Sequence, residues 1–229
     1  MKKWLFKPLL ACCLLWGAML PPVCAAQGVD VQQLYERASS GDAQARNALE
    51  KAAAQGDADA QFYLGVMYGK GEGVRQDYAQ ARYWYEQAAA QGDAWAQFNL
   101  GVMYDNGQGV RQDYAQARYW YEQAAAQGKA SAQLNLGVMY YEGQGVRQDY
   151  AQARHWFEKA AVQGDASAQF NLGVMYSKGE GGLQDYAQAK HWFAQAAEQG
   201  DAAAQFYLGG AVSPRRRRAA GLCAGAVLA

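Results

Sequence analysis

The chain has 229 residues, with 21 lysines and arginines against 21 aspartates and glutamates and a formal net charge of zero. That balance comes from the ends: residues 1–26 hold three lysines and residues 210–229 four arginines, without an acid, so 27–209 holds 14 basic and 21 acidic residues, a net of −7. A body of that sign argues against a nucleic-acid role, and a mean hydropathy of −0.37 argues against a bundle of membrane spans. Cys12, Cys13, Cys24 and Cys223 all lie in the two ends, so a disulfide scaffold or a thiolate metal site is excluded from the body.

Lys2, Lys3 and Lys7 precede an apolar run from Leu9 to Leu20, and Pro21 and Pro22 end it before the small-residue site Val23-Cys24-Ala25-Ala26. This is the layout of a signal peptide over 1–26, cut after Ala25 or Ala26. About a dozen apolar residues are too few to span a ~30 Å hydrocarbon core. A lipoprotein reading at Leu9-Leu10-Ala11-Cys12 leaves almost no apolar stretch before its cysteine. The expected mature protein is exported, periplasmic or secreted, and without stable membrane insertion.

From there the chain is one motif written repeatedly. GVRQDYAQAR stands at 73–82, 109–118 and 145–154 and becomes GGLQDYAQAK at 181–190, a step of 36 each time. Residues 73–92 and 109–128 are identical, and Gly56, Gly92, Gly128, Gly164 and Gly200 fall on the same lattice. Such a period means a solenoid whose units bury their apolar faces on one another. Residues 27–56 read as a diverged helical cap broken at Gly41-Asp42. Four repeats follow at 57–92, 93–128, 129–164 and 165–200, then a truncated fifth at 201–209.

Each unit reads as two helices, with no strand pattern anywhere. In the second, Asp77 and Gln80 form a capping box, Ala81, Trp84, Tyr85, Ala88 and Ala89 make one buried stripe, and Gly92 ends the helix in the left-handed region. Asp93 starts the next helix, which buries Ala96, Leu100, Gly101 and Tyr104. A glycine inside a helix costs about 1 kcal/mol relative to alanine. Its recurrence at Gly65, Gly101, Gly137 and Gly173 therefore points to close approach by a neighbouring helix.

Ala60, Leu64-Gly65, Met67-Tyr68, Gly71, Gly73-Val74 and Asp77, followed by Ala81, Trp84-Tyr85, Ala88-Ala89 and Gln91-Gly92, recur almost complete at 96–128, 132–164 and 168–200. This pattern resembles the Sel-one-like repeat family, relatives of the tetratricopeptide proteins. The resemblance implies an all-α, right-handed α-solenoid acting as a non-enzymatic scaffold or adaptor for a protein or peptide partner. Exported bacterial relatives are associated with host-protein contact, envelope assembly and control of sensor proteins. The alternative it offers is cell-wall glycan or β-lactam recognition, as in some exported relatives, which are disulfide-braced as this body is not.

No catalytic constellation, metal set or cofactor motif stands out. His155 and His191 take the place of Tyr83 and Tyr119, a full repeat apart, and read as solvent-facing aromatic substitutes. Trp84, Trp120, Trp156 and Trp192 read as core by periodicity, and the glycine loops lack the lysine and hydroxyl of a phosphate-binding loop. Partner binding is then expected where repeats differ. On the first helices these positions are Asp59, Tyr63 and Lys70; Trp95, Asn99 and Asn106; Ser131, Asn135 and Glu142; Ser167, Asn171 and Lys178. Trp95 stands where other units hold Asp59, Ser131, Ser167 and Ala203. It reads either as an interface anchor or as a residue packed on a neighbour.

Residues 210–229 match nothing in the repeat, although Arg215 to Arg218 invite a third reading as a nucleic-acid tail. Ala220 to Leu228 can be encoded as GCA GGA CTA TGC GCA GGC GCG GTA CTG. Read one nucleotide later, with G following, this gives QDYAQARYW, its aspartate at position 221 and its tryptophan at 228, one period beyond Asp185 and Trp192. The tail is thus expected to be a frameshifted, disordered repeat, leaving 202–209 frayed with Phe206 and Leu208 exposed.

Overall fold

The structure, a computed structural model, describes residues 30–210. Among the described residues the chain forms eleven helices and no strand. The first two, α1 (Val31–Ser39) and α2 (Ala43–Ala54), are separated at Gly41, whose φ is 102°, and Asp42 caps α2 by accepting from the N–H groups of Gln44 and Ala45. Four helix pairs follow. They are α3 (Ala58–Lys70) with α4 (Tyr78–Ala90), and α5 (Ala94–Asn106) with α6 (Tyr114–Ala126). Then come α7 (Ala130–Glu142) with α8 (Tyr150–Ala161), α9 (Ala166–Lys178) with α10 (Tyr186–Glu198), and a last first helix, α11 (Ala202–Gly210). Each helix packs chiefly on its neighbours along the chain, which makes an all-α solenoid. The segment read as a signal peptide and the tail beyond 210 lie outside the described residues, and Gly210 itself closes α11.

Capping fixes the turns. Asp77 accepts from the N–H groups of Ala79 and Gln80 at 2.9 and 3.1 Å, and Asp113, Asp149 and Asp185 repeat the arrangement. The capping box is only half made, because the N–H of Asp77 donates to the Tyr68 carbonyl at 2.9 Å and leaves Gln80 nothing to reach back to. At the other end Gly92 takes φ of 92°, and the N–H groups of Gly92 and Asp93 donate to the Ala89 and Ala88 carbonyls at 3.0 and 3.1 Å. That paired closure satisfies two of the orphan carbonyls at a helix end. Asp93 then caps α5 from the very next position.

The core corrects two expectations. The deepest aromatic of each second helix is Tyr85, Tyr121, Phe157 or Phe193, not the tryptophan before it. Trp84, Trp120, Trp156 and Trp192 are only partly buried, each packed on the cluster that the first helix of its own unit forms with the helix before it. Adjacent positions on a helix lie only 100° apart, so both fall within one broad apolar stripe. On α5 it is Met103, not Tyr104, that is fully buried beside Ala96, Leu100 and Gly101. The recurring glycine has the steric cause expected: a Cβ at Gly101 would lie 2.5 Å from the Tyr121 ring, and Gly65, Gly137 and Gly173 meet Tyr85, Phe157 and Phe193 in the same way.

Between units runs a line of buried amides. Gln97 donates to the Ala89 carbonyl at 3.4 Å, and its Oε1 accepts from Gln127 Nε2 at 2.8 Å. Gln61 with Gln91, Gln133 with Gln163 and Gln169 with Gln199 repeat the pairing at 2.8 Å. Each buried glutamine satisfies a carbonyl at the end of one second helix and is held by a glutamine at the end of the next.

Candidate partner-binding site

The positions at which repeats differ meet at one place above the others. Tyr63 and Lys70 of α3 and Trp95 and Asn99 of α5 line a cavity of about 520 Å³. Phe62, Val66, Phe98 and Val102 form its apolar walls, with Gly69 of α3 and Ala81 and Tyr85 of α4 also facing it. Tyr35 of α1 closes one side, its ring stacked on Tyr63 with centroids 4.7 Å apart and planes at 19°. The Tyr35 hydroxyl donates to Glu72 at 2.7 Å, and Lys70 Nζ lies 3.5 Å from the same carboxylate. Burial, and then the bond to Glu72, push the Tyr35 hydroxyl up to about 12.

Trp95 is 52% exposed at the rim, and the Lys129 ammonium lies over its ring. The two readings of Trp95 therefore both have a structural counterpart. One ring face meets a neighbouring lysine, and the side chain is otherwise open to the cavity and solvent. Desolvation against this surface moves the Lys129 ammonium below its ordinary range, while burial moves the neighbouring Asp93 carboxyl up.

The other eight variable positions do not line this cavity. Asp59, Asn106, Glu142, Ser167 and Lys178 are exposed, and Ser131, Asn135 and Asn171 are half-buried. Lys178 is committed to Glu180 at 3.5 Å and to the Tyr141 hydroxyl at 3.3 Å, the latter bond holding its ammonium above the usual range. His155 and His191 are exposed and sit edge-on to Trp156 and Trp192, like Tyr83 and Tyr119 on their tryptophans. Among the described residues no three His, Cys, Asp or Glu side chains gather in a metal-holding group, and no helix is long and apolar enough to cross a membrane.

Two lining residues escape a reading of variable positions. Tyr85 belongs to the shared core stripe, and Gly69 looks like one more turn glycine. The signal for both is a lattice exception: Gly69 stands where Asp105, Tyr141 and Ser177 stand in later units.

A scan against family models matches the Sel1 repeat at residues 58–93, 96–129, 130–165 and 166–201. A search of curated proteins finds no match. Among solved structures, a protective antigen of uropathogenic Escherichia coli strains is similar at 40% identity with a TM-score of 0.71, over 79% of this chain and 43% of the antigen. A Sel1 repeat protein from Oxalobacter formigenes is similar at 36% identity and a TM-score of 0.72, over 78% of this chain and 72% of that one. A third, from Klebsiella pneumoniae, shares 28% identity at a TM-score of 0.50 and covers 79% and 92% of the two chains. This chain thus spans less than half the length of the antigen. Four repeats matched in tandem, with the glycine, cap and glutamine positions that build them, place the chain in the Sel1 repeat family.

Proposed function

We propose that this Sel1 repeat scaffold is an exported, non-enzymatic adaptor that holds a peptide segment of a protein partner along the face of its first helices. The observation that carries the reading is the convergence of Tyr63, Lys70, Trp95 and Asn99, four positions freed from the repeat pattern, on one cavity. The shared positions are accounted for by caps, core and the amide line, so selection for binding is legible where units diverge. A half-exposed tryptophan over an aromatic-walled cavity has the make-up of an interface anchor. The family match and the likeness to an antigen of a pathogenic bacterium support a role at or beyond the cell envelope, as does the signal-like segment 1–26.

Site-specific photo-crosslinking tests this. A benzoylphenylalanine in place of Asn99 is expected to capture a discrete partner, and the adduct is expected to vanish in a Trp95→Ala background. The same probe in place of Gln123, on the exposed face of α6, is expected to capture nothing. Equal capture from both positions would contradict the reading.

A further inference from the structure

The cavity contains a hydrogen-bond donor with no partner among the described residues. Tyr85 is 6% exposed, its hydroxyl faces the cavity, and no group among the described residues accepts from it. In the next unit the equivalent Tyr121 donates to the Asp105 carboxylate at 3.2 Å. The place of Asp105 is taken in the first unit by Gly69. In the third and fourth units the hydroxyl itself is missing, since Phe157 and Phe193 stand there. The first unit is therefore the one that keeps the donor and lacks the acceptor.

The acceptor's space is open. A Cβ on Gly69 would stand 3.7 Å from the Tyr85 hydroxyl and 3.7 Å from Ala81 Cβ, ordinary contact distances. One cation borders it. Among the described residues that line the cavity Lys70 alone is charged. The nearby Glu72 accepts from Tyr35 and lies 3.5 Å from Lys70, and its charge also reaches Tyr85, so an incoming carboxylate shares the exposed Lys70 ammonium with it.

We propose that this cavity takes an acidic side chain, an aspartate or glutamate of the bound peptide, whose carboxylate accepts from the Tyr85 hydroxyl and pairs with Lys70 while an adjacent apolar side chain lies between the aromatic walls. The proposal rests on the groove reading above and adds the chemistry of what enters it. The peptide supplies the carboxylate that Asp105 supplies from within the chain one repeat later. The hydroxyl opens on the cavity, where an incoming carboxylate can reach it, and a hydrogen bond to a charged acceptor is among the stronger ones.

Titration of the full chain with two capped dipeptides, Ac-Phe-Asp-NH2 and Ac-Phe-Asn-NH2, followed by amide NMR shifts, tests this. The aspartyl peptide is expected to bind about ten-fold more tightly than the asparaginyl one. Tyr85→Phe is expected to erase that preference while leaving the asparaginyl peptide unaffected, and Trp95→Ala to weaken both. Gly69→Asp is expected to block the aspartyl peptide and to raise the melting temperature, the rise disappearing in a Tyr85→Phe background. An aspartyl preference that survives Tyr85→Phe, or a Gly69→Asp effect indifferent to Tyr85, overturns the inference but leaves the groove standing. Binding only of Ac-Ala-Phe-OH, through its chain-terminal carboxylate, overturns it too. Binding of both dipeptides that ignores Trp95→Ala overturns the groove reading itself.

Discussion

Lys129 stands where the other first helices from α3 onward begin with Asp57, Asp93, Asp165 and Asp201, and it makes no side-chain cap bond. The lost cap costs about 1 kcal/mol, and the same substitution places an ammonium over Trp95. Lys129→Asp is expected to stabilise the fold by about 1 kcal/mol in a Trp95→Ala background and by less in the native one. Denaturant melts of the four variants read the difference as the strength of the lysine–tryptophan contact. Tyr85 and Tyr121 make a second comparison. Tyr85→Phe removes a hydroxyl with no partner and should leave stability nearly unchanged, whereas Tyr121→Phe strips the half-buried Asp105 of its donor and should cost about 1–2 kcal/mol. Burial raises the Asp105 carboxyl above its usual range, so the stability it contributes is greatest at low pH and is lost as pH rises through that raised value. The Tyr121→Phe penalty should accordingly be larger near pH 7 than near pH 3. The caps were legible as residues, since an aspartate before an apolar stripe has one common use. The unpaired hydroxyl was not, because it depends on which residue of one helix meets which residue of the next.

A single glycine position tests how helices pack within a unit. Gly101→Ala pushes a methyl into the Tyr121 ring and should destabilise by about 1–3 kcal/mol. Gly209 falls on the same lattice in α11, yet a Cβ there meets nothing within 4 Å. Gly209→Ala should instead be neutral or stabilise by up to about 1 kcal/mol, through helix propensity alone. Circular-dichroism melts of the two variants check the opposite signs. The steric role of this glycine could be read from its recurrence, because nothing but close approach explains a repeated helix-interior glycine. The amide line could not. Gln61, Gln97, Gln133 and Gln169 recur just as faithfully, but a polar residue next to an apolar stripe reads as solvent-facing until the preceding helix end is seen beside it. The order of depth between Trp84 and Tyr85 was hidden for a related reason, since period places both on one face and only the partner helix ranks them.

Across the array, each unit leans on the next, and α11 shows what happens when no described element follows. Phe206 is 74% exposed, while its lattice counterparts Phe62, Phe98, Leu134 and Phe170 are partly covered by the following second helix. Leu208, expected to be exposed, is instead partly buried on the core built around Phe193. Native-state hydrogen exchange should therefore show 202–210 opening most readily and α5 to α8 least, as nearest-neighbour coupling requires. The fold as a whole was legible because a near-perfect period states the architecture outright. Where a partner docks was legible only in part: four of the twelve divergent positions share the cavity, and periodicity cannot say which variable residues converge across units.

Partner affinity and melting temperature, measured together for Trp95→Ala, separate an interface anchor from a core residue. Affinity for the partner captured at position 99 is expected to fall at least ~10-fold, with melting lowered by no more than about 3 °C, the share owed to the Lys129 contact. Unchanged affinity, or a loss of stability as large as the loss of binding, would contradict the reading of Trp95 as an anchor.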